Sequence, residues 1–233
     1  MPSNPLLVAF EAAASRPQEG SHKVAIRDEL ISRFSFAIPT SAALAEIALA
    51  SPSGVIEVGA GTGYWAGLLA ATGTDVIAFD ADPPPSPTNP WFAGGTLWFN
   101  VQKSDETVAG GFPQRTLLLV WPTIGAQWAA DAVRSYHAGG GGCVAFVGEV
   151  AGGRTGDDSL HKMLGNATEC LSCRYGILDV ACLCGIPQYF EPIVRVALPH
   201  WPGFEDDLTI HRRRRSRPRR RLLAVTRRGR TND

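Results

Sequence analysis

One acid and three glycines at alternate positions, Glu57, Gly59, Gly61 and Gly63, lie between a short apolar run at 55–58 and an apolar stretch at 64–71. No other feature of the chain restricts its backbone so tightly. Glycine is needed where the chain turns with positive φ, and where a ligand or another segment touches main chain with no Cβ in the way. A helix starting behind such a turn directs unpaired N–H groups and the positive end of its dipole at whatever occupies it. Asp80 ends the next apolar run, 75–80, 17 residues after Gly63. A carboxylate at the tip of that second strand is placed to accept hydrogen bonds from a ribose diol. The pattern predicts a strand over 55–58, a helix over 64–71 and a strand over 75–80, built around a nucleoside-sized ligand.

Strand, helix and strand within about 30 residues form the βαβ unit of a parallel sheet with a right-handed crossover. Further strands are predicted at 97–101, 116–121 and 143–148, with helices at 125–137 and 158–164. Two last strands, 193–198 and 208–211, flank a loop at 199–207 and read as a closing antiparallel pair. The fold class is therefore α/β, with a seven-stranded, mostly parallel sheet ending in a C-terminal antiparallel strand pair. The 233 residues suit one core rather than two. Residues 1–39 form an N-terminal extension with a helix over 23–34 and a break at Ile38-Pro39. The domain proper spans 40–211, opening on Thr40 and Ser41 as N-cap types for a helix bearing Leu44, Ile47 and Leu49.

A net charge of zero conceals an asymmetry. Residues 212–233 hold eleven of the 22 basic side chains and one acid, Asp233, leaving the rest of the chain with 11 bases against 21 acids. An acidic body offers no basic face to nucleic acid, so contact with nucleic acid or an import receptor is expected only through the arginine-rich tail, by counterion release. The bland alternative for that tail is a solvated, disordered end. The first fifteen residues carry no Lys or Arg, unlike a secretory signal, and no apolar run approaches the roughly 20 residues of a membrane span. Four of the five cysteines crowd between 170 and 184, unlike a disulfide framework. The expected setting is cytoplasmic or nuclear, with no membrane partner.

The sixth position of the glycine pattern separates ligand classes. A dinucleotide site of form GxGxxG/A requires Gly or Ala where this chain has Tyr64, because the helix must approach the strand and leave room for a pyrophosphate. The form Glu-x-Gly-x-Gly-x-Gly resembles motif I of the class I S-adenosylmethionine-dependent methyltransferases, and Asp80 matches their ribose-binding acid. Phe36-Ala37-Ile38-Pro39, the runs 117–122 and 147–149, Thr155-Gly156-Asp157-Asp158 and Leu198-Pro199-His200-Trp201-Pro202-Gly203 add a similarity to an uncharacterised methyltransferase-like family, over most of residues 30–212. The resemblance implies a Rossmann-like methyltransferase fold with S-adenosylmethionine as cofactor. It implies Gly59, Ala60, Gly61 and Gly63 beneath the cofactor, Asp80 on its ribose hydroxyls, and Glu57 either orienting the turn or meeting the amino group. Asp105 falls near the family's adenine contact or is a solvated loop acid. Ile38 and Pro39 lie over the cofactor mouth or simply form the turn into a helix.

Methyl transfer from a sulfonium is an in-line displacement that depends on alignment and desolvation, with a base only where the acceptor must lose a proton. No catalytic residue is assigned from the sequence, and the methyl acceptor, small molecule or protein, is unknown. Amine-modifying relatives carry Asn or Asp followed by Pro-Pro-aromatic at the end of the fourth strand, whereas this chain has Val120-Trp121-Pro122-Thr123. Polar groups expected at strand ends are Glu149, Asp157, Asp158 and His161, with Thr155 and the two aspartates equally suited to capping a helix. His200 and Trp201 either shape an acceptor pocket or pack beside a turn. An insert at 165–189 matches nothing in the family. Its Cys170-x-x-Cys173 and Cys182-x-Cys184 have thiolates for zinc, but the spacing is irregular, no His accompanies them, and no metal is expected. A retained intron translated in frame is the other reading of the insert. The function expected is S-adenosylmethionine-dependent methyl transfer. The alternatives are a non-catalytic cofactor-binding or scaffold protein and, against Tyr64, an NAD-dependent oxidoreductase.

Overall fold

A computed structural model describes residues 3–15, 20–166 and 185–214. The helices are α1 (Pro5–Ala14), α2 (Gly20–Arg33), α3 (Ser41–Ala50), α4 (Tyr64–Ala71), α5 (Trp128–Ala138) and α6 (Asp158–Leu164). The strands are β1 (Val55–Val58), β2 (Val76–Asp80), β3 (Val101–Lys103), β4 (Thr116–Val120), β5 (Cys143–Gly148), β6 (Phe190–Ala197) and β7 (Asp207–Arg213). They form one sheet in the order β3-β2-β1-β4-β5-β7-β6. The pairs from β3 to β5 are parallel, and β7 runs antiparallel to both of its neighbours. This is a Rossmann-like arrangement: β1 and β4 lie at the centre, where strand order reverses, and β7 is inserted between β5 and β6.

The uniformly apolar strands follow from having both sheet faces covered. Along β4 and β5, Leu118, Ala145 and Val147 pack into one core with α1 to α4, while Leu117, Leu119, Val144 and Phe146 pack into another with α5 and α6. Period-two geometry sends successive side chains to opposite faces, so neither face can be polar. In β1, Val55 joins the first core and Ile56 and Val58 the second. Glu57 therefore points to the side of α4.

Four expectations about elements are corrected. The third strand is Val101–Lys103 rather than 97–101. The residues before it bond to other segments instead of extending the strand: Trp98, still exposed, donates its N–H to the Thr62 carbonyl at 2.8 Å and its indole N–H to the Arg33 carbonyl at 2.7 Å, and its ring stacks on Phe34 at 5.1 Å. Helix α5 begins at Trp128 rather than 125 because Gly125, at φ 69°, belongs to a turn closed by Ala126 N–H on the Thr123 carbonyl. The N-terminal extension contains a further helix, α1, capped by Asn4 Oδ1 on Leu7 N–H at 3.1 Å, with Pro5 in its first turn. Leu6 of this helix is fully buried in the main core. Strand β7 also extends through Arg213, so the first two arginines of the basic segment belong to the sheet. The rest of the tail, residues 215–233, and Cys170, Cys173, Cys182 and Cys184 of the insert lie outside the described residues. Among the described residues, no helix is long and apolar enough to cross a membrane.

Tyr64 fastens α1 to the domain. Its hydroxyl donates to Asn4 Oδ1 at 2.8 Å and accepts from Leu6 N–H at 3.1 Å, in a setting where Tyr64 is 2% exposed. Tyr64→Phe orphans the Leu6 amide and is expected to lower the unfolding free energy by about 1–3 kcal/mol, read by urea denaturation. An unchanged midpoint would show that the α1 contact contributes nothing.

Candidate functional site

Beyond Val58 the chain turns through Gly59, Gly61 and Gly63 at φ 72°, 54° and 71°, the left-handed region in which side chains with a Cβ are strained. Ala60 N–H extends the β1–β2 ladder to the Phe79 carbonyl at 3.0 Å, and Gly63 N–H closes the turn on the Ala60 carbonyl at 2.8 Å. The three glycines do different things. A Cβ on Gly63 would meet Val101 Cγ2 at 2.8 Å and Phe99 Cβ at 2.9 Å, so its bareness lets α4 pack against the third strand. Gly59 and Gly61, with Ala60, line an open cavity. Aromatic rings press on both: a Cβ on Gly59 would clash with the Trp128 ring, lying 2.9 Å from its Cζ3, and one on Gly61 would lie 2.6 Å from Phe92 Cε2. The floor is thus bare main chain with an indole and a phenyl ring along its edges.

Asp80 stands at the same rim. Its Oδ2 accepts from Gly61 N–H and its Oδ1 from Asp82 N–H, each at 2.8 Å. Each oxygen retains a lone pair for a further donor. Glu57 lies behind the turn, 1% exposed, with Oε2 accepting from Ala66 N–H at 3.0 Å in the first turn of α4. Burial pushes its carboxyl from 4.5 to about 8, against the pull of that amide and with some help from the charge on Asp80. At neutral pH Glu57 is largely protonated and pins α4 to β1.

The cavity measures about 990 Å³ and opens at the carboxyl ends of the parallel strands, where sheets of this kind place ligands. Its lining includes Gly59, Gly61 and Asp80 of the glycine turn and, from other segments, Phe36, Trp121, Arg154, Trp201, Phe204 and Asp206. Trp121, the residue after β4, has φ 50°, an unusual value for a bulky side chain. Three contacts hold it there: its N–H on the Val147 carbonyl at 2.7 Å, its indole N–H on Asp206 Oδ1 at 2.9 Å, and Phe36 stacked parallel at 4.5 Å. Asp206 is 2% exposed, and burial raises its carboxyl to about 6, opposed by the Trp121 bond and assisted by the Glu149 charge. Trp201 is buried with its indole N–H unpartnered among the described residues, its ring edge-on to Phe10 at 5.0 Å.

Several residues singled out from the sequence lie elsewhere. Ile38 is core and neither it nor Pro39 lines the cavity, which Phe36 does instead. Asp105 caps a 3-10 turn through Thr107 N–H, while its neighbours Ser104 and Glu106 reach the cavity. Asp157 caps α6 on Leu160 N–H at 2.8 Å, and Asp158 is exposed in the same first turn. Glu149 accepts from the Arg154 and Glu205 amides and staples two loops. His161 is buried with its Nε2 on the Thr155 carbonyl at 2.7 Å. His200 sits beside the Trp201 carbonyl, outside the lining. Asp206, Arg154, Phe36, Phe92 and Trp128 were not anticipated. Asp206 had one signal, its position just before the last strand: an antiparallel β7 starts at the rim where its parallel neighbours end.

The state of Glu57 has a measurable consequence. Unfolded, it loses its proton near 4.5, and folded, near 8. The folded chain therefore binds more protons between those values, and stability falls as pH rises through the window. Glu57→Gln keeps an acceptor for Ala66 N–H and removes the titration, so its unfolding free energy is expected to decline less than wild type between pH 6.5 and 8. Parallel declines in denaturation series would contradict the buried, protonated carboxyl.

No known family's model matches the sequence, and no curated protein matches it. Solved structures do resemble it. Burkholderia thailandensis 1,6-didemethyltoxoflavin-N1-methyltransferase, with bound 1,6-didemethyltoxoflavin and S-adenosylhomocysteine, is 17% identical, covering 85% of this chain and 92% of that one at a TM-score of 0.46. Magnesium protoporphyrin IX methyltransferase from Synechocystis, with bound S-adenosylhomocysteine, is 10% identical over 89% and 94% of the chains at 0.41. A putative tRNA (m1A22) methyltransferase from Streptococcus pneumoniae is 9% identical over 77% and 72% at 0.44. At these identities and scores the likeness is one of general architecture.

Proposed function

We propose that the chain binds S-adenosylmethionine beside the glycine turn and transfers its methyl group to an acceptor held elsewhere in the cavity. The observation that carries this reading is the meeting of bare main chain, Gly59 to Gly61, with the Asp80 carboxylate at one rim of a cavity large enough for two small molecules. Drug-sized ligand sites run from about 300 to 1,000 Å³, and this one, at about 990 Å³, lies at the top of that range. The rim presents main chain and the Asp80 carboxylate, which suit the hydroxyl donors of a sugar and a positively charged head. Tyr64 fills the place where a dinucleotide site keeps a glycine.

In this reading Gly59, Ala60 and Gly61 floor the cofactor, Asp80 accepts from its ribose hydroxyls, and Glu57 holds the turn and the start of α4 in place. Gly63 serves the turn through packing. The cofactor supplies an electrophilic methyl group on sulfur. The chain aligns the acceptor and keeps water out with the aromatic walls around Trp121 and Phe36, which is most of what an in-line displacement asks of an enzyme.

Calorimetric titration tests the reading. Micromolar binding of S-adenosylmethionine and S-adenosylhomocysteine is expected, with NAD silent. Asp80→Ala removes hydrogen bonds to a charged acceptor worth about 1.5–3 kcal/mol, so affinity should fall roughly 10- to 150-fold. Binding of NAD without binding of the sulfonium compound would overturn the proposal. Release of S-adenosylhomocysteine on incubation with a cell extract separates an enzyme from a protein that only holds the cofactor.

A further inference from the structure

We propose that the cavity beside Trp121 and Asp206 takes a planar aromatic acceptor carrying an O–H or N–H group, with the ring against the Trp121–Phe36 wall and the O–H or N–H donating to Asp206. The inference rests on the reading above and names the acceptor class of the same site.

The geometry comes from three separate elements. Trp121 leaves β4 in a left-handed conformation, which turns its indole toward the cavity at the strand's carboxyl end. Phe36 lies against it with 7° between the rings, and Phe204 and Trp91 extend the aromatic surface, at 5.8 Å from Trp121 and 5.3 Å from Phe36. A wall of this kind favours a flat guest, since an offset or edge-on aromatic pair adds roughly 2- to 10-fold in affinity beyond the area it covers. Arg154 lies over the Phe204 ring at 4.7 Å, its guanidinium charge at the mouth of the same space.

Asp206 is the polar element. One oxygen, Oδ1, accepts from the Trp121 indole, while Oδ2 accepts from no described residue in a side chain that is 2% exposed and lines the cavity. Oδ2 is not among the fully buried unpartnered atoms, so a donor in the cavity can reach it. Burial raises its carboxyl to about 6, so at neutral pH it remains mostly ionised and is a stronger base than a solvated aspartate. The step balances. As the acceptor oxygen or nitrogen bonds to the methyl carbon, the carbon–sulfur bond breaks and sulfur keeps its electron pair. The acceptor's proton passes to Asp206, so that sulfonium and carboxylate are both neutral once the methyl has moved. Asp206 then releases the proton to solvent and is ionised again.

The test is binding, read by calorimetric titration of the full chain with and without S-adenosylhomocysteine. The probes are 2-naphthol, 4-hydroxybenzoate and indole, each beside a ring-saturated counterpart, with naphthalene as a flat probe that cannot donate. The planar donors are expected to bind about tenfold tighter than the saturated forms. Asp206→Asn, which can still accept from Trp121, should weaken the planar donors about tenfold and leave naphthalene unchanged. Calorimetry with S-adenosylhomocysteine on the same variant should match wild type. Equal binding of flat and saturated probes, no binding by any flat probe, or an Asp206→Asn effect shared by naphthalene would overturn the proposal. Failure of S-adenosylhomocysteine to bind the wild-type chain strikes the cofactor reading instead, and the aromatic probes remain readable without it.

Discussion

The hydrogen bond from Gly61 N–H to Asp80 Oδ2 ties the end of one strand to the turn that leaves its neighbour, and the site is organised around it. The left-handed glycines of the turn take its backbone out of the sheet ladder after Ala60, and the Gly61 amide there needs a partner at the same level. Asp80 provides one, and a second bond from Asp82 N–H fixes the carboxylate from the other side. Glu57 braces the turn from behind through the first turn of α4. Two acids thus hold one turn, and their burial differs enough that one is neutral at pH 7 while the other sits at the open rim.

Sheet topology explains why the cavity gathers two unlike groups of residues. Parallel strands β1, β2 and β4 all finish at one rim, where the glycine turn, Asp80 and Trp121 are gathered. The antiparallel β7 begins at that rim, so the loop before it delivers Asp206 to the indole of Trp121, 85 residues earlier in the chain. Helix α2, from the N-terminal extension, adds Arg27 and Ile31 to the wall. The extension is therefore part of both the core and the site, through Leu6 and Phe34 in the first and α2 in the second.

What could be read in advance followed from strong local signals. The runs at β1, α4, β5 and α6 have matching boundaries because the first three are almost wholly apolar and their ends, like those of α6, are marked by glycine or a capping acid, as with Gly63 before α4 and Asp157 before α6. The third strand was displaced because an aromatic run scores as strand by propensity, yet Trp98 and Phe99 are taken up by α2 and α4. Asp206 and Trp121 were not legible as a pair: nothing local marks residues that meet only because β7 runs against its neighbours. Asp157 shows the reverse case, a local capping signal fully spent on α6, which left nothing for chemistry.

Trp128 and Phe92 lie against Gly59 and Gly61, so the rim is bare main chain bordered by rings rather than an empty shelf. The claim that this rim receives a nucleoside is tested most directly by a crystal structure of the chain with S-adenosylhomocysteine. The account predicts the ribose hydroxyls within hydrogen-bonding distance of Asp80 and the amino-acid portion over Gly59 to Gly61, with the sulfur directed toward Trp121. Ligand bound elsewhere, or a rim sealed by Trp128 and Phe92 with Asp80 making only its two main-chain bonds, would contradict it.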